Sequence, residues 1–287
     1  MPFTLANLPE ASAARLAVIG QPVAHSLSPQ MHQPALDEAG IDARYIALEV
    51  GPGQVKEAFI RMRELGFIGC NVTVPHKFDA LEACDEIDDT ARDLGAVNTV
   101  RFDDDATRGT NTDGYGFEHA VKESLGLKLP GLSVMIVGAG GGAGGAIAAH
   151  CARAGVARLI LVNRTESKIE VLGRTLRERH PRLDLATLGT QDTVLPALAA
   201  ACTLIVNTTS LGLKESDPSP LPAGYLHSNH HVFDTIYKPT ALIRAAEAAG
   251  AHHANGHLML LHQGIAAFRF WFPGSDPDAA MRRGLGL

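Results

Sequence analysis

The sequence is poor in cysteine and in aromatic residues. Aromatic side chains make up 5% of the 287 residues, and the four cysteines include no CxxC pair. Scattered cysteines in apolar surroundings predict buried, reduced thiols rather than a disulfide framework, which favours a cytoplasmic protein. The four are Cys70, Cys84, Cys151 and Cys202.

The chain also lacks long apolar runs and any excess of positive charge. No stretch approaches the roughly 18 apolar residues of a membrane span, and the N-terminus has no signal-peptide pattern. The formal net charge is −6, which disfavours nucleic acid and anionic membranes as partners. Hydrophobic residues nevertheless reach 46%, which is enough to build a folded core.

The thirteen histidines form no recognisable metal-binding pattern. His230-His231 and His252-His253 are adjacent pairs, and neighbours along a chain rarely bind one ion together. No H-x-x-x-H or Cys-His cluster has structural-zinc spacing together with the right partner ligands. The sequence therefore predicts no metal.

Short apolar segments alternate with amphipathic ones along most of the chain, which predicts an α/β protein with a mostly parallel sheet. One helix is expected over 78–92, a hairpin around 103–109, and a final helix over 257–272. The expected strands are 15–20, 45–50, 67–74, 96–102, 132–137, 158–163, 183–188, 203–209 and 232–237.

A glycine-rich turn follows the strand at 132–137 and precedes a predicted helix. Its sequence is Gly138-Ala139-Gly140-Gly141-Gly142-Ala143, in which the first, third and sixth residues fit G-x-G-x-x-[GA]. Such a turn lets the backbone approach a pyrophosphate at the positive end of the helix. The motif predicts dinucleotide binding, and the extra Gly142 and Gly144 predict a loose helix start.

The end of the next strand indicates which dinucleotide is bound. NAD enzymes usually carry an acidic residue there for the ribose hydroxyls. This strand ends in Asn163-Arg164-Thr165, with Lys168 one turn later. A guanidinium suits a phosphate, so the pattern favours NADP and makes NAD the weaker alternative.

These elements predict two domains. An N-terminal α/β substrate domain, 1–112, is completed by 255–287, because the apolar final helix must return to a large partner. A Rossmann-type domain, 113–254, holds the dinucleotide.

Candidates for acid–base chemistry lie near the predicted domain junction. Lys77 follows a buried strand and Asp113 lies at the junction. A pocket lysine can exchange a proton with a carbonyl oxygen during hydride transfer, although a lone lysine is more often a surface charge. Ser26 and Ser28 lie two residues apart before a helix, where they suit a carboxylate; helix capping explains Ser28 alone but not Ser26. His25 and His76 flank this proposed pocket.

Taken together, these motifs resemble the shikimate dehydrogenase family over nearly the whole chain. The matching segments occur in the family's order and are 25–29, 71–77, 95–99, 111–114, 138–143, 163–165, 207–212, 234–240 and 256–263. The resemblance implies NADPH-dependent reduction of 3-dehydroshikimate to shikimate in aromatic amino acid biosynthesis. It implies a small-molecule substrate, and we expect a monomer or homodimer.

The resemblance also implies roles for individual residues. Lys77 and Asp113 would be the catalytic pair. The substrate would be bound by Ser26, Ser28, Thr73, Asn98, Asp113, Tyr237 and Gln263. The cofactor would be bound by Gly138, Ala139, Gly140, Gly141, Gly142, Asn163, Arg164, Thr165, Lys168, Thr235, Gly256 and Asp89.

Two alternatives stay open. A quinate/shikimate dehydrogenase that uses NAD would share most of these motifs, but such relatives tend to carry an acidic residue at the second strand end or threonine in place of the second serine. A non-catalytic NADP sensor would not need both Lys77 and Asp113. Arg164, Ser28 and the catalytic pair therefore favour the biosynthetic enzyme.

Overall fold

A computed structural model describes all residues from 1 to 287 and divides them into two compact units. The first unit comprises Met1–Thr112 together with Leu261–Leu287, and the second comprises Asp113–Leu260. The C-terminal segment thus groups with the first unit from Leu261 onward, whereas the sequence places this boundary at residue 255.

The N-terminal part of the first unit contains a seven-stranded mixed sheet and four α-helices. They are β1 (Phe3–Thr4), β2 (Ala14–Gly20), α1 (Ser28–Glu38), β3 (Arg44–Glu49), α2 (Val55–Glu64), β4 (Gly69–Val72), α3 (Lys77–Ala83), β5 (Glu86–Ile87), α4 (Asp89–Leu94), β6 (Thr99–Phe102) and β7 (Thr107–Thr110). The strand order is β1-β3-β2-β4-β6-β7-β5. β6 runs antiparallel to both neighbours and forms the expected hairpin with β7.

The single helix predicted over 78–92 is wrong, because two helices and a short strand occupy this segment. α3 ends at Ala83, the backbone of the next residue, Cys84, is extended, and Glu86–Ile87 pairs with β7 at the sheet edge. A new helix then begins because the Asp88 side chain accepts a hydrogen bond from the Ala91 N–H at 2.8 Å. The apolar periodicity of the sequence does not indicate that a second helix begins here.

The second unit contains a six-stranded parallel sheet. Its elements are α5 (Asp113–Leu125), β8 (Ser133–Val137), α6 (Gly142–Arg153), β9 (Arg158–Asn163), α7 (Glu166–Arg179), β10 (Asp184–Gly189), α8 (Leu195–Ala200), β11 (Leu204–Asn207), β12 (His231–Asp234), α9 (Ala241–Ala248) and β13 (His252–Ala254). The order β10-β9-β8-β11-β12-β13 reverses direction between β8 and β11. Ligands of such sheets bind at this reversal, outside the carboxyl ends of the strands.

The sequence missed α8 and β13 in this unit. β13 has only three residues, two of them histidines, so it shows no apolar signal; it is recognised by its parallel pairing with β12. The apolar core lies between the sheet and its helices and includes Met135, Ile160 and Ile205.

Two helices end the chain, α10 (His257–Trp271) and α11 (Asp278–Leu285). α10 matches the predicted last helix, but α11 follows it, so α10 is not final. The Trp271 indole N–H donates to the Val100 carbonyl at 2.9 Å, which attaches the end of α10 to β6. No helix in the structure has the length and apolar character needed to cross a membrane. Cys70, Cys151 and Cys202 are buried thiols, whereas Cys84 is only partly buried.

Candidate active site

The two serines lie at the carboxyl end of β2, in the first unit. Ser28 begins α1 and is buried, while Ser26 is half-buried in the preceding loop. The Ser28 backbone N–H donates to Ser26 Oγ at 3.3 Å. Because this oxygen already accepts a hydrogen bond, the Ser26 hydroxyl proton is left to donate outward, as a carboxylate ligand requires.

Thr73 lies directly beside this serine loop. It follows β4, which pairs with β2, and its N–H donates to the Ile19 carbonyl at 2.9 Å. A Cβ at Gly20 would lie 2.5 Å from Cγ2 of Thr73. Glycine at position 20 therefore lets the Thr73 side chain lie against the start of the loop.

A buried hydrogen-bond network connects Ser28 with Asn98. Ser28 bonds to the Tyr45 hydroxyl, which donates to Asn71 Oδ1 at 2.7 Å. Asn71 Nδ2 donates to Thr99 Oγ1 at 3.1 Å, and that hydroxyl donates to Asn98 Oδ1 at 2.9 Å. Burial raises the pKa of Tyr45, so its hydroxyl remains a donor. The network thus holds Ser28 and Asn98, two of the residues proposed to bind the substrate, in fixed positions.

Sequence reasoning missed the middle of this network. Asn71 and Thr99 lie in segments that match the family, but the sequence analysis assigns neither residue a role. Tyr45 carried no signal, because its partners lie on other strands far along the chain. Only the pairing of β2, β3, β4 and β6 reveals the connection.

Lys77 is the first residue of α3 and is half-buried. Its carbonyl accepts from the Val97 N–H at 2.9 Å, which holds the helix start against the 95–99 segment. His76 is fully buried, and its Nε2 lies 2.6 Å from the Val50 carbonyl oxygen, so it anchors this turn rather than facing solvent. His25, the other flanking histidine, is exposed.

Asp113 is the first residue of α5 and belongs to the second unit. Its side chain is buried. Gly114 follows, and a Cβ there would lie 2.7 Å from the His150 side chain on α6. The small residue after Asp113 thus lets the start of α5 pack closely against α6.

The glycine turn joins β8 to α6 at the reversal of strand order. Gly138 has φ of 96°, a conformation that favours glycine, and its N–H donates to the Val162 carbonyl at 2.8 Å. A Cβ at Gly140 would lie 2.7 Å from the Cβ of Lys168. The α6 N-terminus begins at Gly142, so its unpaired N–H groups point toward the turn.

Gly144 corrects the expectation of a loose helix start. A Cβ at this position would lie 2.5 Å from the Gly138 carbonyl oxygen and 2.6 Å from Thr208 Oγ1. The helix therefore approaches the turn closely at Gly144. The added glycine permits tight packing.

Arg164 and Lys168 lie at the carboxyl end of β9. Asn163 ends the strand and its Nδ2 donates to the Thr165 carbonyl at 2.9 Å, which shapes the turn into α7. Arg164 and Lys168 are both exposed. Two cations beside the glycine turn suit an additional phosphate on the ribose of a dinucleotide.

A second buried network lies at the carboxyl ends of β11 and β12. Asp234 is fully buried and accepts from Asn207 Nδ2 at 3.0 Å and from Thr240 Oγ1 at 2.7 Å. It also accepts from the Ile236 N–H at 3.0 Å. Burial raises the pKa of Asp234, although these donors oppose the shift. The carboxylate thus shapes the loop that carries Thr235 and Tyr237, a role the sequence did not assign.

Gly256 packs against this loop. Its N–H donates to the Ile236 carbonyl at 3.1 Å, and a Cβ there would overlap the Thr235 carbonyl oxygen. Thr235, Tyr237 and Gly256 are thus brought together in the second unit.

Two further residues that were predicted to bind ligands, Gln263 and Asp89, lie in the first unit. Gln263 is half-buried on α10. Asp89 begins α4, is 93% exposed and pairs with Arg92 at 2.6 Å. Its role near a cofactor stays a prediction.

Serine and amide groups in one unit and a glycine turn in the other define a class: two-unit α/β oxidoreductases with a dinucleotide-binding domain. Comparisons with known proteins identify the family within this class. Residues 18–100 match the model of the shikimate dehydrogenase substrate-binding domain. The shikimate dehydrogenase (NADP(+)) of Symbiobacterium thermophilum is 40% identical over 273 residues, which cover 93% of this chain and 92% of that protein.

Solved structures agree with this match. Shikimate dehydrogenase from Aquifex aeolicus superposes with a TM-score of 0.86 at 35% identity, covering 96% of this chain and 98% of that one. Quinate dehydrogenase from Corynebacterium glutamicum, in complex with NAD, gives 0.84 at 30% identity, covering 96% and 99%. The chain belongs to the shikimate dehydrogenase family.

Proposed function

We propose that the protein is an NADP-dependent shikimate dehydrogenase that reversibly reduces 3-dehydroshikimate to shikimate. The observation that carries this proposal is the network from Ser28 through Tyr45 and Asn71 to Asn98. It fixes hydroxyl and amide groups where a hydroxylated carboxylate would bind. The name of the Symbiobacterium relative supports the same reaction.

In this proposal the substrate is bound by side chains. Ser26 and Ser28 donate to the carboxylate, because hydroxyl donors in a partly buried pocket bind this group well. Thr73, Asn98, Tyr237, Gln263 and Asp113 bind the ring hydroxyls. A pocket with this many hydrogen-bonding groups rejects analogues that lack a hydroxyl, because its own polar groups would remain unpaired.

Lys77 and Asp113 form the proposed acid–base pair. When bound, NADPH supplies a hydride to the carbonyl carbon. Lys77 donates a proton to the carbonyl oxygen, so that the ketone becomes a hydroxyl, and Asp113 is the other member of the proposed pair. In the reverse direction Lys77 takes up the hydroxyl proton.

The second unit is proposed to bind NADP. Residues 138–142 and the α6 N-terminus hold the pyrophosphate, with the N–H dipoles facing its charge. Asn163, Arg164, Thr165 and Lys168 surround the adenosine phosphate. Thr235 would adjoin the nicotinamide, and Gly256 and Asp89 would lie near the cofactor. The proposed functional domains are 1–112 with 255–287, and 113–254.

The proposed setting is the cytoplasm, where the four unpaired thiols would stay reduced. The protein would act as a monomer or homodimer on a small-molecule substrate, in the synthesis of aromatic amino acids.

A quinate dehydrogenase is the second candidate, favoured by the similarity to the Corynebacterium enzyme. Initial rates with shikimate and with quinate, each with NADP and with NAD, separate the two. We expect the highest kcat/KM with shikimate and NADP. A large preference for quinate with NAD would overturn the proposal, and the absence of turnover with every pair would favour a non-catalytic NADP-binding protein.

A further inference from the structure

Tyr237 lies against an imidazole that no part of the proposed reaction uses. The ring centroids of Tyr237 and His257 lie 5.4 Å apart, with 32° between their planes. Tyr237 is 38% exposed, so part of its surface is left uncovered by neighbouring groups. A partly exposed aromatic ring can adopt other rotamers unless a neighbouring side chain packs against it.

The imidazole itself is fixed by Asn255. Asn255 Oδ1 lies 3.1 Å from both the backbone N and Nδ1 of His257. The backbone N–H can only donate, so the asparagine atom must be its oxygen. Nδ1 therefore carries a proton and donates to the same oxygen, which sets the ring's tautomer and orientation.

The segment that carries His257 is also fixed to the loop that carries Tyr237. Gly256 donates its N–H to the Ile236 carbonyl at 3.1 Å, and only a glycine fits against the Thr235 carbonyl. The backbone positions of both rings are thus coupled through one tight contact.

The Tyr237 hydroxyl is a proton donor under ordinary conditions. Burial raises its pKa, and the negative charge on Asp113 raises it further. The direction in which this donor points then depends on the ring's position, because a phenol O–H lies in the ring plane.

We propose that His257 is a positioning residue for Tyr237, holding the phenol ring so that its hydroxyl meets the substrate. The imidazole lies beside the phenol ring, tilted from it by 32°, and takes no part in the proposed acid–base step. This inference rests on the proposed function, since it assumes that Tyr237 binds shikimate. It predicts an effect on substrate binding that is separate from catalysis.

The test is His257→Ala in the full-length enzyme, assayed with shikimate at saturating NADP. We expect the KM for shikimate to rise about three- to tenfold, the cost of restraining one loosened side chain on binding. We expect kcat to change less than about twofold, and the KM for NADP to stay the same. His257→Phe keeps a flat ring and should restore the wild-type KM.

A double-variant cycle distinguishes positioning from a general structural role. With Tyr237→Phe as background, which lacks the hydroxyl, His257→Ala should raise the KM by less than about twofold. His253→Ala is the matched control, since that exposed histidine lies in β13 and its Nδ1 lies near the Ala251 carbonyl. It should leave the KM unchanged. If His257→Ala fails to fold, His257→Gln replaces it, with the same expected rise.

An unchanged KM in His257→Ala, or an equal rise in the Tyr237→Phe background, would overturn the inference. So would a fall in kcat at constant KM. If the wild-type protein does not oxidise shikimate, the proposed function fails as well. An active wild type with an insensitive His257→Ala overturns the positioning role alone.

Discussion

The two units form their candidate binding surfaces in opposite ways. The first unit presents side chains, and a buried network from Ser28 to Asn98 holds them from below. The second unit presents a backbone turn, where Gly138, Gly140 and Gly144 leave no room for a side chain. Its charged groups, Arg164 and Lys168, are exposed additions at the edge.

This difference follows from the ligands. A ring with several hydroxyls is recognised by donors and acceptors at defined positions, and here the proposed ligands are side chains. A pyrophosphate is recognised by N–H groups at a helix start, which every residue has. Side-chain substitutions should therefore be costly in the first unit, whereas in the second unit the costly change should be an added side chain.

The largest expected effect is that of Lys77→Ala. Removing a general acid typically lowers kcat by about 10²- to 10⁴-fold. The affinity for NADP, measured by titration calorimetry, should be unchanged, because the glycine turn lies in the other unit. Lys56→Ala, which removes an exposed lysine from α2 of the same unit, should keep full activity. A wild-type kcat in Lys77→Ala would show that Lys77 is not part of the mechanism. It would also contradict the expectation that side-chain substitutions are costly in the first unit.

Low pH should lower the unfolding free energy of the first unit, because a buried histidine packs against the network residue Tyr45. His32 on α1 is fully buried, stacks on Tyr45 at 4.6 Å and has no hydrogen-bond partner on either ring nitrogen. Burial lowers its pKa from 6.5 to about 3. The unfolded chain therefore takes up the proton first as the pH falls. The stability contributed by neutral His32 is complete above pH 6.5 and is lost between pH 6.5 and about 3.

Urea unfolding at pH 7, 6 and 5 measures this loss. Between pH 7 and pH 5 the wild type should lose about 2 kcal/mol more unfolding free energy than His32→Phe, which keeps the stacked ring. His25→Phe, at an exposed position of the same unit, serves as the control and should follow the wild type. Equal pH slopes for wild type and His32→Phe would show that the imidazole is solvated in the folded state.

The same contrast explains what the sequence revealed. In the second unit, the elements that carry a local sequence pattern were predicted correctly. β9 runs from Arg158 to Asn163 as expected, and the glycine turn follows a buried strand. The first unit's serines and Lys77 were also local signals. Tyr45 and Asp234 were not, because their roles arise from strand pairing across many residues. The tight contact of Gly144 was missed for the same reason, since it involves Thr208, which follows β11 far along the chain.

The smallest expected effect is that of Arg164→Ala, and it tests the second unit's dependence on backbone. The guanidinium is exposed, and Lys168 still supplies a positive charge beside the turn, so only part of the phosphate contact is lost. The KM for NADP should rise about tenfold, the loss of one charged hydrogen bond, while the KM for NAD stays the same because NAD lacks that phosphate. Arg174→Ala, an exposed arginine of α7, is the matched control and should change neither constant. Equal rises for NADP and NAD would place Arg164 on the part the two cofactors share, and the second unit would then depend on side chains as the first does.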